Sequence, residues 1–200
     1  MKNVTQTLMG LLQDRETKEH VTRIEAHIKC LLACHNKRFQ LVVSKREMEL
    51  ISTASALHDI GKLAVPLSLF SKKGPLTEME RIIMKTHPMT GLYILDQLKE
   101  AGWMRLRPQE ERIVKNIVLY HHEKWDGSGY PNGLAGEEIP FEARVVSIMD
   151  VYDALLSERS YKRPWPKKEA ISYIQSEKGK SFDPDLVDTF SALFEENVAA

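Results

Sequence analysis

"ETKEHVTRIEAHIKCLLACH", Glu16 to His35, decides the fold class. Val21, Ile24, Ile28, Leu31 and Leu32 recur at three- and four-residue steps, the spacing of an apolar stripe on one face of a helix. Glu16 and His20 stand one turn apart near its start, so both side chains can reach the same point in space.

The same period continues down the chain. Met48, Ile51, Ala54 and Leu57 predict a second helix that ends at His58 and Asp59, with Gly61 as its stop. Thr77 followed by Glu80 has the form of a capping box opening a helix towards His87. Pro88 and Thr90 restart another through Leu98, and a further helix from near Pro108 carries Ile113, Ile117 and Leu119 into His121 and His122. Phe141 to Ser157 is the next, followed by short helices at Lys167 to Ser176 and Pro184 to Phe194. No run alternates cleanly enough for a sheet, and Gly and Pro cluster only after Asp59 and between Asp126 and Pro140. The predicted fold class is all-α.

Two hundred residues suffice for one domain with a substantial core. Hydrophobic residues make up 42% and charged residues 28%, an ordinary globular balance that argues against disorder. Basic and acidic residues balance at 28 each, so nothing global favours nucleic acid or a membrane surface; an anionic ligand needs a local site. Cys30 and Cys34, four apart in a helical stretch, fit a reduced intracellular thiol pair better than a secreted disulfide framework, which places the chain in the cytoplasm. "MKNVTQTLMGLLQD", residues 1–14, is too short and too polar for a signal peptide or a membrane span. Residues 1–15 read as a helical lead-in of the kind that ends a linker from an upstream domain, and 16–200 as the domain itself.

Five of the seven histidines, His20, His58, His87, His121 and His122, sit beside a carboxylate or at a predicted helix end. One such histidine is ordinarily a capping or packing residue. Their company changes the reading. "HDIGK" sets His58 beside Asp59 with Lys62 four residues on, and adjacent His121 and His122 project about 100° apart, which suits two neighbouring metals. Asp150 lies within an apolar helix, where an unpaired carboxylate is costly and a cation would offset that cost. Imidazole and carboxylate without thiolate indicate iron, manganese or another first-row divalent ion and argue against structural zinc. Seven such donors exceed one coordination sphere, so two ions are expected and a third stays open. Two ions roughly 3.5 to 4 Å apart can share a hydroxide and neutralise charge on a phosphoryl group. His27, Cys30 and Cys34 lack an obvious fourth ligand and are read as structural.

"HDIGK", then His87, "HHEKWDGSGYP" (His121–Pro131) and "MDVYDALLSERSYK" (Met149–Lys162) closely resemble the HD-GYP domains, bacterial phosphodiesterases within the HD metallohydrolase superfamily that cleave cyclic di-GMP. The likeness runs from about Glu16 to "FDPDLVDTF" near the C-terminus. It implies a compact HD-domain helical bundle with a metal cluster in its centre. By position it implies the ligands His20, His58, Asp59, His87, His121, His122 and Asp150, with Asp59 bridging and Glu16 matching members that hold a third metal. Lys62 matches the phosphate-contacting lysine, while Asp153, Arg159 and Lys162 match the stretch that holds the dinucleotide. Tyr130 belongs to the eponymous loop, which resembles both a pocket wall and a surface for docking GGDEF cyclase domains. Met149, Leu156, Glu158 and Ser160 depart from the commoner pattern at no ligand position.

The implied reaction is hydrolysis of cyclic di-GMP to pGpG and on to GMP by a metal-bridging hydroxide beside Asp59, with Lys62, Arg159 and Lys162 as cations for the phosphates. Gly127 and Gly129 permit a tight turn, and Tyr130 is a rigid aromatic able to stack on a base or a partner. Asp153, three residues after Asp150 on the same face, orients a ligand, fixes a lysine or accepts a proton, in that order of preference. Glu123 reads either as a support behind the ligands or as a solvated helix-end acid. Rival readings are an HD phosphohydrolase of another cyclic dinucleotide such as cyclic GMP-AMP, and a low-activity cyclic-dinucleotide sensor or docking module. A di-iron oxygenase is disfavoured because it leaves the cations and the GYP loop without a role.

Overall fold

The described structure, a computed structural model, comprises residues 15–40, 43–70, 72, 74–158 and 163–195, without the side chains of 15–18, 70 and 195. The lead-in expected over residues 1–15 lies outside it except for the backbone of Arg15. The helices are α1 (Arg15–Arg38), α2 (Lys45–Ala54), the single turn α3 (Leu67–Phe70), α4 (Glu78–Met84), α5 (His87–Glu100), α6 (Pro108–Tyr120), α7 (Phe141–Leu156), α8 (Lys167–Ser176) and α9 (Pro184–Glu195). Short 3-10 turns cover Ser55–Leu57, Ile60–Ala64 and Gly136–Glu138. Among the described residues the only extended pairings are two isolated bridges, Asp126 with Ala135 and Lys178 with Phe182, so the class is all-α.

α7 is the central element, with α1, α6, α8 and α9 packed around it. Val145, Val146, Ile148 and Met149 are fully buried, and a helix apolar on most sides belongs inside a bundle. α1 packs against it and buries Ile24, Ile28, Leu31 and Leu32, each contributing roughly 1.5–3 kcal/mol by leaving water. Asp150 and Asp153, on α7, are thereby carried into the interior. Among the described residues no helix is long and apolar enough to cross a membrane.

Helix ends were harder to place than helices. α2 opens on a capping box in which Ser44 Oγ accepts from Glu47 N at 3.2 Å and Glu47 accepts from Ser44 N at 3.1 Å. It stops at Ala54, short of the expected end at Asp59. The Ser52 and Ser55 hydroxyls donate to Met48 O and Ser52 O, each at 2.6 Å, and such back-bonding accompanies the tightening to a 3-10 turn. The Thr77–Glu80 capping box forms as expected. Its helix ends at Met84, and His87 opens α5 with Pro88 in the first turn, where a missing N–H costs little.

Gly61 is more than a helix stop. A Cβ there would stand 1.8 Å from His87 O and 2.6 Å from Gly91 N, so the turn after Asp59 lies backbone to backbone on the start of α5. At the other end, Asp183 accepts from Asp185 N at 2.9 Å and pairs with Arg144, whose guanidinium lies 5.6 Å from the Trp125 ring centroid. The loop after α6 is so tied to the starts of α7 and α9.

Gly61→Ala should destabilise the fold by about 3 kcal/mol, because the colliding atoms are backbone and cannot rotate away. Denaturant unfolding of the metal-free protein measures this; a midpoint equal to the parent's would refute the close approach.

Candidate metal centre

Five segments deliver their polar side chains to one interior space. His20 comes from α1, His58 and Asp59 from between two 3-10 turns, His87 from the first turn of α5, His121 and His122 from the end of α6, and Asp150 from α7. The donor atoms of Asp59, His87, His121 and His122 lie within 4.8 Å of one another, as do those of His20, His58 and Asp150. The groups adjoin, with His58 Nε2 3.2 Å from Asp59 Oδ2 and 3.6 Å from Asp150 Oδ1. His87 Nε2 is 3.3 Å from Asp59 Oδ1, and His20 Nε2 is 3.5 Å from Asp150 Oδ1.

Backbone carbonyls choose which nitrogen faces inward. Nδ1 of His58 is 2.7 Å from Ser55 O, that of His87 2.8 Å from Met84 O, and that of His121 3.0 Å from Ile117 O. A ring that donates Nδ1–H to a carbonyl presents the Nε2 lone pair to the centre. His20 is held instead by a carboxylate, with Nδ1 2.5 Å from Asp153 Oδ2. Asp153 also accepts from Arg23 Nε at 2.7 Å and from Ser157 Oγ at 3.1 Å. Its side chain is 1% exposed and stands behind His20, the place of a residue that orients a ligand.

Charge is distributed unevenly among these groups. Burial opposes the charge on Asp59, yet Lys62 and then His58 outweigh it and hold the carboxyl well below the usual range. Asp150 is likewise lowered, burial being outweighed by His58. Burial disfavours a charged His58, but Asp59 and Asp150 prevail and push it up to about 10. Burial lowers His87 and His121, and lowers His122 to about 4. The surroundings thus favour the cation at His58 and the neutral ring, with its lone pair, at His87, His121 and His122.

The donor set fits a divalent cation. His58 Nε2 and Asp59 Oδ1 are buried polar atoms with no aligned hydrogen bond, a costly arrangement that an ion among them would relieve. The donors are nitrogen and oxygen only, the preference of first-row divalent ions. Cys30 and Cys34 are thiols outside both groups.

Lys62 forms an ion pair with Asp59 at the rim of the cluster. Tyr130, in the loop after α6, stacks on His122 with ring centroids 4.7 Å apart and planes inclined by 26°. The side chain of Glu16, and Arg159 and Lys162 entirely, lie outside the described residues. Sequence reasoning missed Arg23, although it stands three residues after His20 on the same face of α1, and left Glu123 undecided. Glu123 is 2% exposed and accepts from Asn132 N at 2.7 Å and Leu134 N at 3.2 Å, stapling the loop. Gly129 serves close approach, since a Cβ there would meet Lys124 N at 2.4 Å, whereas Gly127 adopts φ +79°.

Fold and site together define an all-helical domain built around a histidine–aspartate cluster able to hold metal ions. A family model described as "HD domain" matches residues 7–186. The chain belongs to the HD domain family, and its motifs resemble those of the HD-GYP branch. It is 44% identical over 74% of its length to the cyclic di-GMP phosphodiesterase response regulator RpfG of Xanthomonas campestris. A cyclic di-GMP phosphodiesterase of Thermotoga maritima is 41% identical over 94% of the chain, and a 3'3'-cGAMP-specific phosphodiesterase of Vibrio cholerae 38% over 94%. The chain spans 37%, 48% and 33% of those proteins respectively. An HDG"Y"P protein from Bdellovibrio bacteriovorus shares the fold at a TM-score of 0.63 and 16% identity, covering 96% of this chain and 61% of the other.

Because His58 titrates near 10 in the metal-free protein, its ring is charged below that pH and must lose a proton before Nε2 can bind an ion. Calorimetric titration with Mn²⁺ at pH 7, in buffers of different ionisation enthalpy, should report about one proton released per centre, with affinity falling about tenfold per unit of acidification. Heats independent of the buffer would contradict this.

Proposed function

We propose that this chain is a metal-dependent phosphodiesterase domain that hydrolyses cyclic di-GMP to pGpG and on to GMP. The observation that carries the reading is the convergence of His20, His58, Asp59, His87, His121, His122 and Asp150 on one space with two polar atoms left unpaired. The named activities of the relatives in Xanthomonas and Thermotoga supply the substrate.

Those seven residues would hold two ions of iron or manganese, with Glu16 serving a third. When bound, such ions neutralise charge on a phosphoryl oxygen and make water acidic enough to react at neutral pH. The protein's own groups do the rest. Asp59 faces both halves of the donor set, and the Lys62 ammonium beside it places positive charge where a non-bridging phosphate oxygen would gather negative charge. Asp153 and Arg23 fix the His20 ring and its tautomer. Arg159 and Lys162 serve the second phosphate, and Tyr130 walls the site. The same reading carries a GGDEF-domain partner on the GYP loop, an upstream regulatory domain and a cytoplasmic setting. The 3'3'-cGAMP-specific relative supports a second reading, in which cyclic GMP-AMP is the preferred substrate.

Anaerobically purified, metal-loaded protein should release pGpG and then GMP from cyclic di-GMP faster than it consumes cyclic GMP-AMP. Asp59→Ala should lower turnover more than about 100-fold with unchanged helical circular dichroism. Parental turnover by that variant would sink the assignment, while faster cleavage of the mixed dinucleotide would transfer it to the second reading.

A further inference from the structure

His122 differs from the other histidines of the centre. Each of His20, His58, His87 and His121 has Nδ1 fixed by a carboxylate or a backbone carbonyl. Among the described residues the His122 ring makes no hydrogen bond at all. Its orientation comes from ring contacts: His121 at 4.1 Å, His87 edge-on at 4.9 Å, and Tyr130 stacked at 4.7 Å. The two histidines are themselves members of the centre, so among the described residues Tyr130 is the one aromatic ring outside the centre that lies against it.

The geometry points to Tyr130 as a positioning residue that sets the His122 imidazole by stacking, in place of the hydrogen bond the other ligands use. The inference rests on the reading of His122 as a metal ligand. Tyr130 is itself firmly placed. Its N–H donates to His122 O at 3.2 Å, so the ring returns over the residue that it supports. Gly129, directly before it, lies so close to Glu123 and Lys124 that only a residue without a side chain fits. The buried Glu123 carboxylate holds the outgoing strand of the loop through Asn132 N and Leu134 N, and Lys85 Nζ lies 5.4 Å from the Tyr130 ring centroid. Offset aromatic stacking is worth about 0.5–1.5 kcal/mol. That is enough to restrict a ring with no competing hydrogen bond. With a face given to His122, the tyrosine acts on the reaction through a ligand, and the loop that follows α6 becomes part of the centre's support.

The test uses Mn²⁺ as probe and binding as readout. Tyr130→Leu removes the aromatic face and should weaken Mn²⁺ binding about 3- to 12-fold, the limit a stack of that strength sets, with the metal-free protein destabilised by no more than the same energy. Tyr130→Phe keeps the face and should bind within about twofold of the parent. Parental affinity in Tyr130→Leu, alongside weakened binding in His122→Ala, overturns the stacking role and spares the ligand. Parental affinity in both variants removes His122 from the ligand set and the proposal with it. Tyr130→Phe as weak as Tyr130→Leu assigns the effect to the hydroxyl and overturns stacking. If the leucine variant fails to fold, the unsubstituted metal-free protein decides. His122 ring protons shifted upfield, with Overhauser contacts to the Tyr130 ring, uphold the proposal, and their absence refutes it.

Discussion

Two half-buried carboxylates, Asp59 and Asp150, set the terms for everything around them. Unscreened negative charge in a helical core is expensive, and the protein meets that cost with a charged His58 between the acids, Lys62 beside Asp59, and His20 against Asp150. Even so, an oxygen of Asp59 and a nitrogen of His58 find no aligned partner. A cation among them would give both atoms a partner. Stability has been conceded in favour of a prepared binding site, the usual direction of the exchange where polar groups cluster inside a fold.

Preparation extends outward by a layer. Three rings are oriented by carbonyls at or near helix ends; Ser55 O and Ile117 O accept the backbone N–H of His58 and His121 as well as facing the ring Nδ1. The ends of α6 and α4 and the turn before Asp59 supply such carbonyls, which is why the ligands gather at helix termini. His20, in the body of α1, has no free carbonyl to use and depends on Asp153. Asp153 in turn needs Arg23 and Ser157 to be held without loss.

Much of this could be read from the chain because helical period and ligand chemistry are local properties. The stripe through Ile24, Ile28 and Leu31, the Thr77–Glu80 box and the span of α8 follow from neighbours within four residues. So does the suspicion attached to an acid in the middle of an apolar helix. The end of α2 was misplaced because the hydroxyls of Ser52 and Ser55 compete with the helix, a contest that the apolar period does not register. Gly61, Glu123 and Arg23 were missed or left undecided for a different reason. Their partners are His87, Asn132 and Asp153, and nothing in the local pattern of one chain marks a close approach or a staple made across space.

Gly61 has a kinematic meaning as well. With no room for even one carbon between its backbone and the first turn of α5, the His58–Asp59 corner and His87 travel as a single rigid piece. The opposite wall, α6 and the loop that folds back over its end, gains its stiffness from within instead: Glu123 clasps Asn132 N and Leu134 N, and Gly129 rests on the backbone of Lys124.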